Sequence, residues 1–215
     1  MCEYAAQRLN MVEGQVRAND VTDKRIQDAM ASLPRERFVP AHLRPVAYMD
    51  NCLELARGRY LMDARCFAKL AHLAAIESDD HVLEVGCTSG YSTAVLAHLA
   101  KHVVALEEDA ELLRLAGECL KGTPNVELVQ GRLTDGFSQR APYDVIFVNG
   151  ALDARPDHLL RQLKNGGRLV AVIREGGRGQ AHLFVNSGGA FSERIVFDAQ
   201  IPVLPGFERV PGFVF

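Results

Sequence analysis

The sequence predicts an α/β fold: a mostly parallel sheet with helices on both faces, preceded by a helical extension and followed by antiparallel strands. Three observations carry this reading. From His81 onward, short apolar runs alternate with segments of helical periodicity, which is the grammar of strand–helix–strand units. The run His81–Val85 is short, apolar and ended by glycine, as suits a strand buried on both faces. After residue 176 the helical patterns stop, and short strand-like runs follow one another across Gly and Pro turns.

Met11–Val16 is a short amphipathic stretch, and Asn19-Asp20-Val21-Thr22-Asp23 offers helix caps. Ile26, Ala29, Met30 and Leu33 follow at helical spacing until Pro34 stops the run. Residues 34–58 hold three prolines and read as irregular. A helix is predicted over 63–76, with Phe67, Leu70, Leu73 and Ala74 on one face. Strands follow at 81–85, 103–106, 126–129, 143–148 and 168–173. Helices Tyr91–Leu99, Glu111–Leu120 and Pro156–Leu163 lie between them, the last ended by Asn165-Gly166-Gly167. Right-handed crossovers then place helices on both faces. His182–Val185, Arg194–Phe197 and Val210–Phe215 are expected as antiparallel strands at one edge, the last docked because it is apolar to its end.

The 215 residues, 48% apolar and 24% charged, suit one domain. Its parts are a helical extension (1–78), an alternating α/β core (79–175) and the antiparallel strands (176–215). A net charge of -3 gives no electrostatic reason to expect nucleic acid or an anionic membrane as partner. No apolar run approaches the roughly 20 residues that span a bilayer, and Met1–Arg8 is too polar for a signal peptide. Cys2, Cys52, Cys66, Cys87 and Cys119 are scattered without a C-x-x-C pair. No metal site is therefore expected, and free thiols suit the cytoplasm.

In an open parallel sheet, ligands bind beyond the carboxyl ends of the strands, where strand order reverses. The turn after the first strand of the unit is Gly86-Cys87-Thr88-Ser89-Gly90, whose glycines permit close backbone approach. The following helix presents free N–H donors. A dinucleotide fingerprint started at Gly86 would need small residues at Thr88 and Tyr91, and fails at both. A phosphate loop fails too, since no Lys-Ser or Lys-Thr pair follows. Glu107-Glu108 ends the second strand about twenty residues on, where a carboxylate can accept both ribose hydroxyls of an adenosyl group. The same cluster, with Asp109 and Glu111, also favours the N-terminus of the next helix.

Val82-Leu83-Glu84-Val85-Gly86, the small-residue turn, Gly90-Tyr91 and the strand-end Glu107 together resemble class I methyltransferases that use S-adenosylmethionine. Met30-Ala31-Ser32-Leu33-Pro34-Arg35-Glu36-Arg37-Phe38-Val39-Pro40 with Ala47-Tyr48 resembles the N-terminal signature of protein-L-isoaspartate O-methyltransferases. So do Gly90–Ala97, Ala141–Ile146 and Gln162–Val170, in collinear order from about residue 8 to 175. The resemblance implies a Rossmann-like sheet of seven strands and S-adenosylmethionine as cofactor. It also implies methyl transfer to the α-carboxyl of an L-isoaspartyl residue in a protein or peptide acceptor. Carried over by position, Glu84, Gly86, Ser89 and Gly90 match the cofactor loop and Glu107 the ribose-binding acid; Cys87, Glu108, Gly131 and Arg132 are expected beside them in the cofactor site. Arg59, Tyr60, Leu61, Met62 and Asn149 form the acceptor site.

Three positions depart from the family pattern. Thr88 replaces the middle loop glycine, where a β-branched residue restricts φ. Arg132 replaces an aspartate that accepts from the adenine amino group, and guanidinium only donates; Asp135 or a backbone carbonyl is the substitute acceptor. Met62 replaces a functional serine in Gly58-Arg59-Tyr60-Leu61-Met62-Asp63-Ala64, so no catalytic residue is identified. Arg59 or Arg65 could instead grip a carboxylate. A carboxylate acceptor, ionised at neutral pH, needs no general base. His72, His81, His98, His102 and His158 lie in or beside helices and strands, and Asp144, Asn149 and Asp153 flank the fourth strand's end. Three readings stand open: a methyltransferase with a changed acceptor, a non-catalytic adenosyl-binding or partner-binding relative, and the isoaspartyl enzyme itself.

Overall fold

The computed structural model of the chain describes residues 2–209; the strand expected over Val210–Phe215 lies outside them. Helix α1 (Cys2–Met11) runs into a π-helical turn at Val12–Val16, and α2 (Lys24–Ser32) follows, its N-terminus capped by Asp23, which accepts from the Arg25 N–H. A hairpin of β1 (Leu53–Ala56) and β2 (Arg59–Leu61) precedes α3 (Ala64–Ala74). The doubly covered sheet then comprises β3 (His81–Val85), α4 (Tyr91–Leu99), β4 (His102–Glu107), α5 (Ala110–Cys119), β5 (Val126–Gln130), β6 (Tyr143–Leu152), α6 (Asp157–Leu160), β7 (Leu163–Glu175), β8 (Arg178–Ser187) and β9 (Ala190–Asp198).

Seven strands pair in the order β5-β4-β3-β6-β7-β8-β9, with β1-β2 as a separate two-stranded sheet. Pairs from β5 through β7 are parallel, while β7-β8 and β8-β9 are antiparallel. The chain moves outward from β3 to β5, then returns to place β6 on β3's other side. That reversal opens a crevice at the carboxyl ends of β3, β4 and β6. Alternate strand residues feed two cores, which explains the unbroken apolar runs. Val82, Val103, Val145 and Phe147 pack towards α2, α3 and α4. Leu83, Val104, Ile146 and Val148 pack towards Leu159, Leu160 and Leu204 on the other face.

Three local expectations are corrected. The helix expected over Pro156–Leu163 is one turn, because Leu163 already pairs with Tyr143 in β7. Asn165-Gly166-Gly167 does not end a helix but lies within β7. There the register shifts, and a Cβ at Gly167 would come within 2.8 Å of the Tyr143 carbonyl. Residues 34–58 are less irregular than their prolines suggest. Two 3₁₀ segments, Arg35–Phe38 and Ala41–Val46, lead into β1 and the hairpin turn at Gly58, which has φ +70°.

Candidate functional site

The crevice is framed by the β3–α4 turn, the tip of β4 and the end of β6. Gly86 (φ +89°) and Gly90 (φ +90°) adopt conformations that suit glycine, and Gly90 is also packed tightly: an added Cβ would lie 2.8 Å from Leu120 Cδ1 beside α5. Thr88 occupies the same left-handed region at φ +51°, an unfavourable setting for a β-branched residue. Its hydroxyl and that of Ser89 are buried without a hydrogen-bond partner. Cys87 is fully buried, and burial pushes its thiol well above the ordinary value, leaving it a packing residue rather than a nucleophile.

Beneath the turn lies a closed polar network. Thr93 Oγ1 donates to Glu84 Oε2 at 2.6 Å, and Asn149 Nδ2 donates to Glu84 Oε1 at 3.2 Å and to Ser92 Oγ at 2.7 Å. Glu84 is wholly buried, and burial pushes its carboxyl up to about 7. Glu84 thus ties β3 to α4 and β6, while Asn149 keeps its Oδ1 unpartnered at the crevice floor. Ser92 and Thr93 lie in the Gly90–Ala97 segment, but carry no expected role there. Their signal is two hydroxyls inside an otherwise apolar helix.

Glu107 ends β4 with no exposed surface. Its carboxylate accepts from the backbone N–H groups of Thr88 (2.8 Å), Glu108 (2.9 Å) and Asp109 (3.1 Å). It also accepts from Arg59, Nε at 3.1 Å and Nη2 at 2.6 Å. The acidic cluster has therefore divided its work. Asp109 caps α5 by accepting from the Glu111 and Leu112 N–H groups, whereas Glu107 turns into the crevice. Glu108 and Arg132 are exposed, while Gly131 donates its N–H to the Glu107 carbonyl.

The acceptor segment is β2 and the short connection from it into α3. Arg59 is 4% exposed and lies over Gly86, whose Cβ position is 2.8 Å from Arg59 Nη2. Leu61 and Met62 are buried, and Tyr60 is half-buried. Arg35, from the Pro34-Arg35 signature, fixes this segment by donating to the carbonyls of Met62 (2.7 Å) and Ala47 (2.8 Å) with its guanidinium stacked on Tyr91. Met62, Tyr60, Arg59 and Asn149 line one small cavity together with Leu204, whose side chain fills the space above Gly150. Leu204 carries no signal in the sequence. It is held by its N–H on the Ala151 carbonyl at 2.8 Å.

Other candidate residues lie elsewhere. Asp144 sits at the amino end of β6, accepting from the His81 N–H and pairing with Lys164. Asp153 pairs with Arg174. Arg65 is exposed on α3, 3.9 Å from Asp50, so it does not enter the crevice. Asp135 is exposed. No histidine lines the cavity.

Comparison with known proteins agrees with this geometry. The family model for protein-L-isoaspartate(D-aspartate) O-methyltransferase matches residues 7–200. A protein-L-isoaspartate O-methyltransferase 2 from Anaeromyxobacter sp. (strain Fw109-5) is 40% identical over 181 residues, covering 83% of this chain and 74% of its own. A protein-L-isoaspartate O-methyltransferase from Protochlamydia amoebophila is 41% identical, covering 76% and 79% respectively. Among solved structures, a protein-L-isoaspartate O-methyltransferase superposes with a TM-score of 0.81 at 25% identity, over 93% of this chain and 66% of the other. A Plasmodium falciparum structure described as such an enzyme in complex with S-adenosyl-L-homocysteine shares the fold, with a TM-score of 0.79 at 18% identity, over 92% and 97%. The glycine turn, the strand-end Glu107 and the seven-stranded sheet thus occur together in a chain that belongs to the protein-L-isoaspartate O-methyltransferase family of S-adenosylmethionine-dependent enzymes.

Proposed function

We propose that this chain methylates a carboxylate of a protein or peptide, with S-adenosylmethionine held in the crevice between the 86–90 turn and Glu107. The observation that carries the reading is the 2.8 Å hydrogen bond from the Thr88 N–H to the Glu107 carboxylate. Through it the glycine turn and the strand-end acid border one crevice. The side chains fit an adenosyl group in kind. Glu107 is a buried acceptor for ribose hydroxyls, and Thr88 Oγ1, Ser89 Oγ and Asn149 Oδ1 are buried polar atoms in need of partners. Gly86 leaves the turn's backbone without a side chain on the face that Arg59 covers, while Gly90 lets the turn pack against Leu120. Glu108, Gly131 and Arg132 would form the outer, adenine-facing rim, with Glu84 and Cys87 supporting the turn from below.

When bound, the cofactor supplies a sulfonium methyl, and the chain's task is to position an acceptor against it. A carboxylate is already an anion at neutral pH and needs no base. That matches a cavity without histidine, in which Cys52 is raised to about 11, chiefly by burial. The relatives' names favour an L-isoaspartyl carboxylate. The buried thioether of Met62, where the family's segment has a hydroxyl, favours a carboxylate of different surroundings. No helix of the described residues is long and apolar enough to cross a membrane. With Cys52, Cys66, Cys87 and Cys119 free, the reading places the reaction in the cytoplasm.

The test supplies methyl-labelled S-adenosylmethionine with an L-isoaspartyl peptide and its aspartyl counterpart. Base-labile label on the isoaspartyl peptide supports the isoaspartyl acceptor. Label on the aspartyl peptide or another carboxylate supports the changed one. Label that survives base, or no label on either peptide or on total protein, overturns carboxylate methylation.

A further inference from the structure

The Arg59–Glu107 pair does something the proposed function does not require. A carboxylate offers about four lone-pair sites. Three backbone N–H groups, held in place by the turn and the start of α5, already donate to Glu107. The two Arg59 N–H donors bring the total to five, so the carboxylate is over-subscribed. With Arg59 gone, Oε2 keeps only the Thr88 N–H, and room for ribose hydroxyls on Glu107 opens only then.

The space agrees. On the inner side of Arg59, the cavity bounded by Met62, Asn149, Gly150 and Leu204 has a volume of about 10 Å³, room for about one water. On the outer side, Arg59 is also the wall of an open crevice of about 200 Å³ bounded by Arg57, Glu108, Asp109 and Leu133. Ligand pockets occupy about 300–1,000 Å³. Neither space holds an adenosyl group by itself, and the Arg59 side chain stands between them.

The backbone that carries Arg59 is itself a short element. Arg59 sits on β2, three residues long, in a two-stranded sheet separate from the main one. Such a hairpin is marginal on its own, and it turns at Gly58 next to Pro205. Arg59 Nη1 is buried without a partner, so the guanidinium is incompletely satisfied where it lies.

We propose that Arg59 is a latch: it closes the adenosyl crevice by holding Glu107, and S-adenosyl ligands bind by displacing it. The inference rests on the proposed cofactor reading. Because a ligand that must first open a closed form binds more weakly in proportion to the open fraction, removing the latch strengthens binding. Glutamine keeps a polar side chain but is shorter and uncharged, so Arg59→Gln is the test variant.

The experiment titrates S-adenosyl-L-homocysteine calorimetrically into the wild-type chain and into Arg59→Gln. In parallel, the ¹⁵N-labelled wild-type chain is followed at the Arg59 Nε–H. The latch predicts at least tenfold tighter binding by Arg59→Gln. It also predicts that the Arg59 Nε–H signal, protected in the free protein, shifts and loses protection as ligand saturates. Equal or weaker binding by a folded Arg59→Gln overturns the latch while leaving the cofactor reading intact. An unmoved, still protected Arg59 Nε–H at saturation does the same, and it decides the matter should the variant fail to fold. No binding by either protein overturns both.

Discussion

Glu107 and Arg59, 48 positions apart in the sequence, form a two-pronged ion pair with Nη2–Oε2 at 2.6 Å, and both side chains are almost wholly buried. The partners are unequally provided for. Glu107 without Arg59 keeps three backbone donors, whereas Arg59 without Glu107 keeps no partner among the described residues. Stripping one partner from a buried pair costs about 3–5 kcal/mol. We therefore expect Glu107→Gln to lose stability in that range and Arg59→Gln to lose clearly less. Urea denaturation of both variants checks it, and the reverse ranking would contradict the geometry.

Thr88 holds φ +51° with an unpartnered buried hydroxyl. Left-handed backbone costs an L-residue roughly 1–2 kcal/mol, which glycine avoids at some expense in unfolded-state entropy. Thr88→Gly is expected to stabilise the chain by about 1 kcal/mol. A loss of that size instead, by the same denaturation, would show that the Thr88 side chain is held by packing strong enough to outweigh its strain.

Gly150 sits under Leu204, and a Cβ there would lie 2.5 Å from Leu204 Cγ. Gly150→Ala should push the 201–207 segment off the end of β6. Amide exchange is the measure: the Leu204 N–H, bonded to the Ala151 carbonyl, should exchange at least tenfold faster, while the β3 amides stay protected.

Glu84 gives the chain a pH signature. Burial raises its carboxyl from 4.5 to about 7, so the folded chain binds more protons than the unfolded one between those values. Its contribution is fully present below pH 4.5 and is lost as pH rises through 7. The loss amounts to roughly 3 kcal/mol. Glu84→Gln, which keeps an acceptor for Thr93, should flatten stability between about pH 5 and about pH 7, by linkage. An unchanged slope would place the titration elsewhere.

The parallel core was legible because β3, β4 and β6 bury both faces, so their runs contain little except apolar residues. The glycine turn and Glu107 were legible because the positions where a parallel sheet binds ligands follow from its topology. The hairpin was not, since Leu53-Glu54-Leu55-Ala56 and Arg59-Tyr60-Leu61 are too short to show a period. Arg59 reads in the sequence as a grip for the acceptor carboxylate. Its burial depends on an acid 48 residues away and on Leu204 far down the chain, contacts that local pattern does not encode. Gly166-Gly167 misled for the opposite reason: a helix stop and a strand irregularity ask for the same residue type.

The central claim is that Glu107 receives the ribose of an adenosyl ligand once Arg59 has left it. A crystal structure of the chain grown with S-adenosyl-L-homocysteine tests this most directly. The account predicts both ribose hydroxyls about 2.5–3.0 Å from the Glu107 carboxylate, with the Arg59 guanidinium outside the crevice. A bound ligand with Arg59 still paired to Glu107, and the ribose held by other groups, would contradict it.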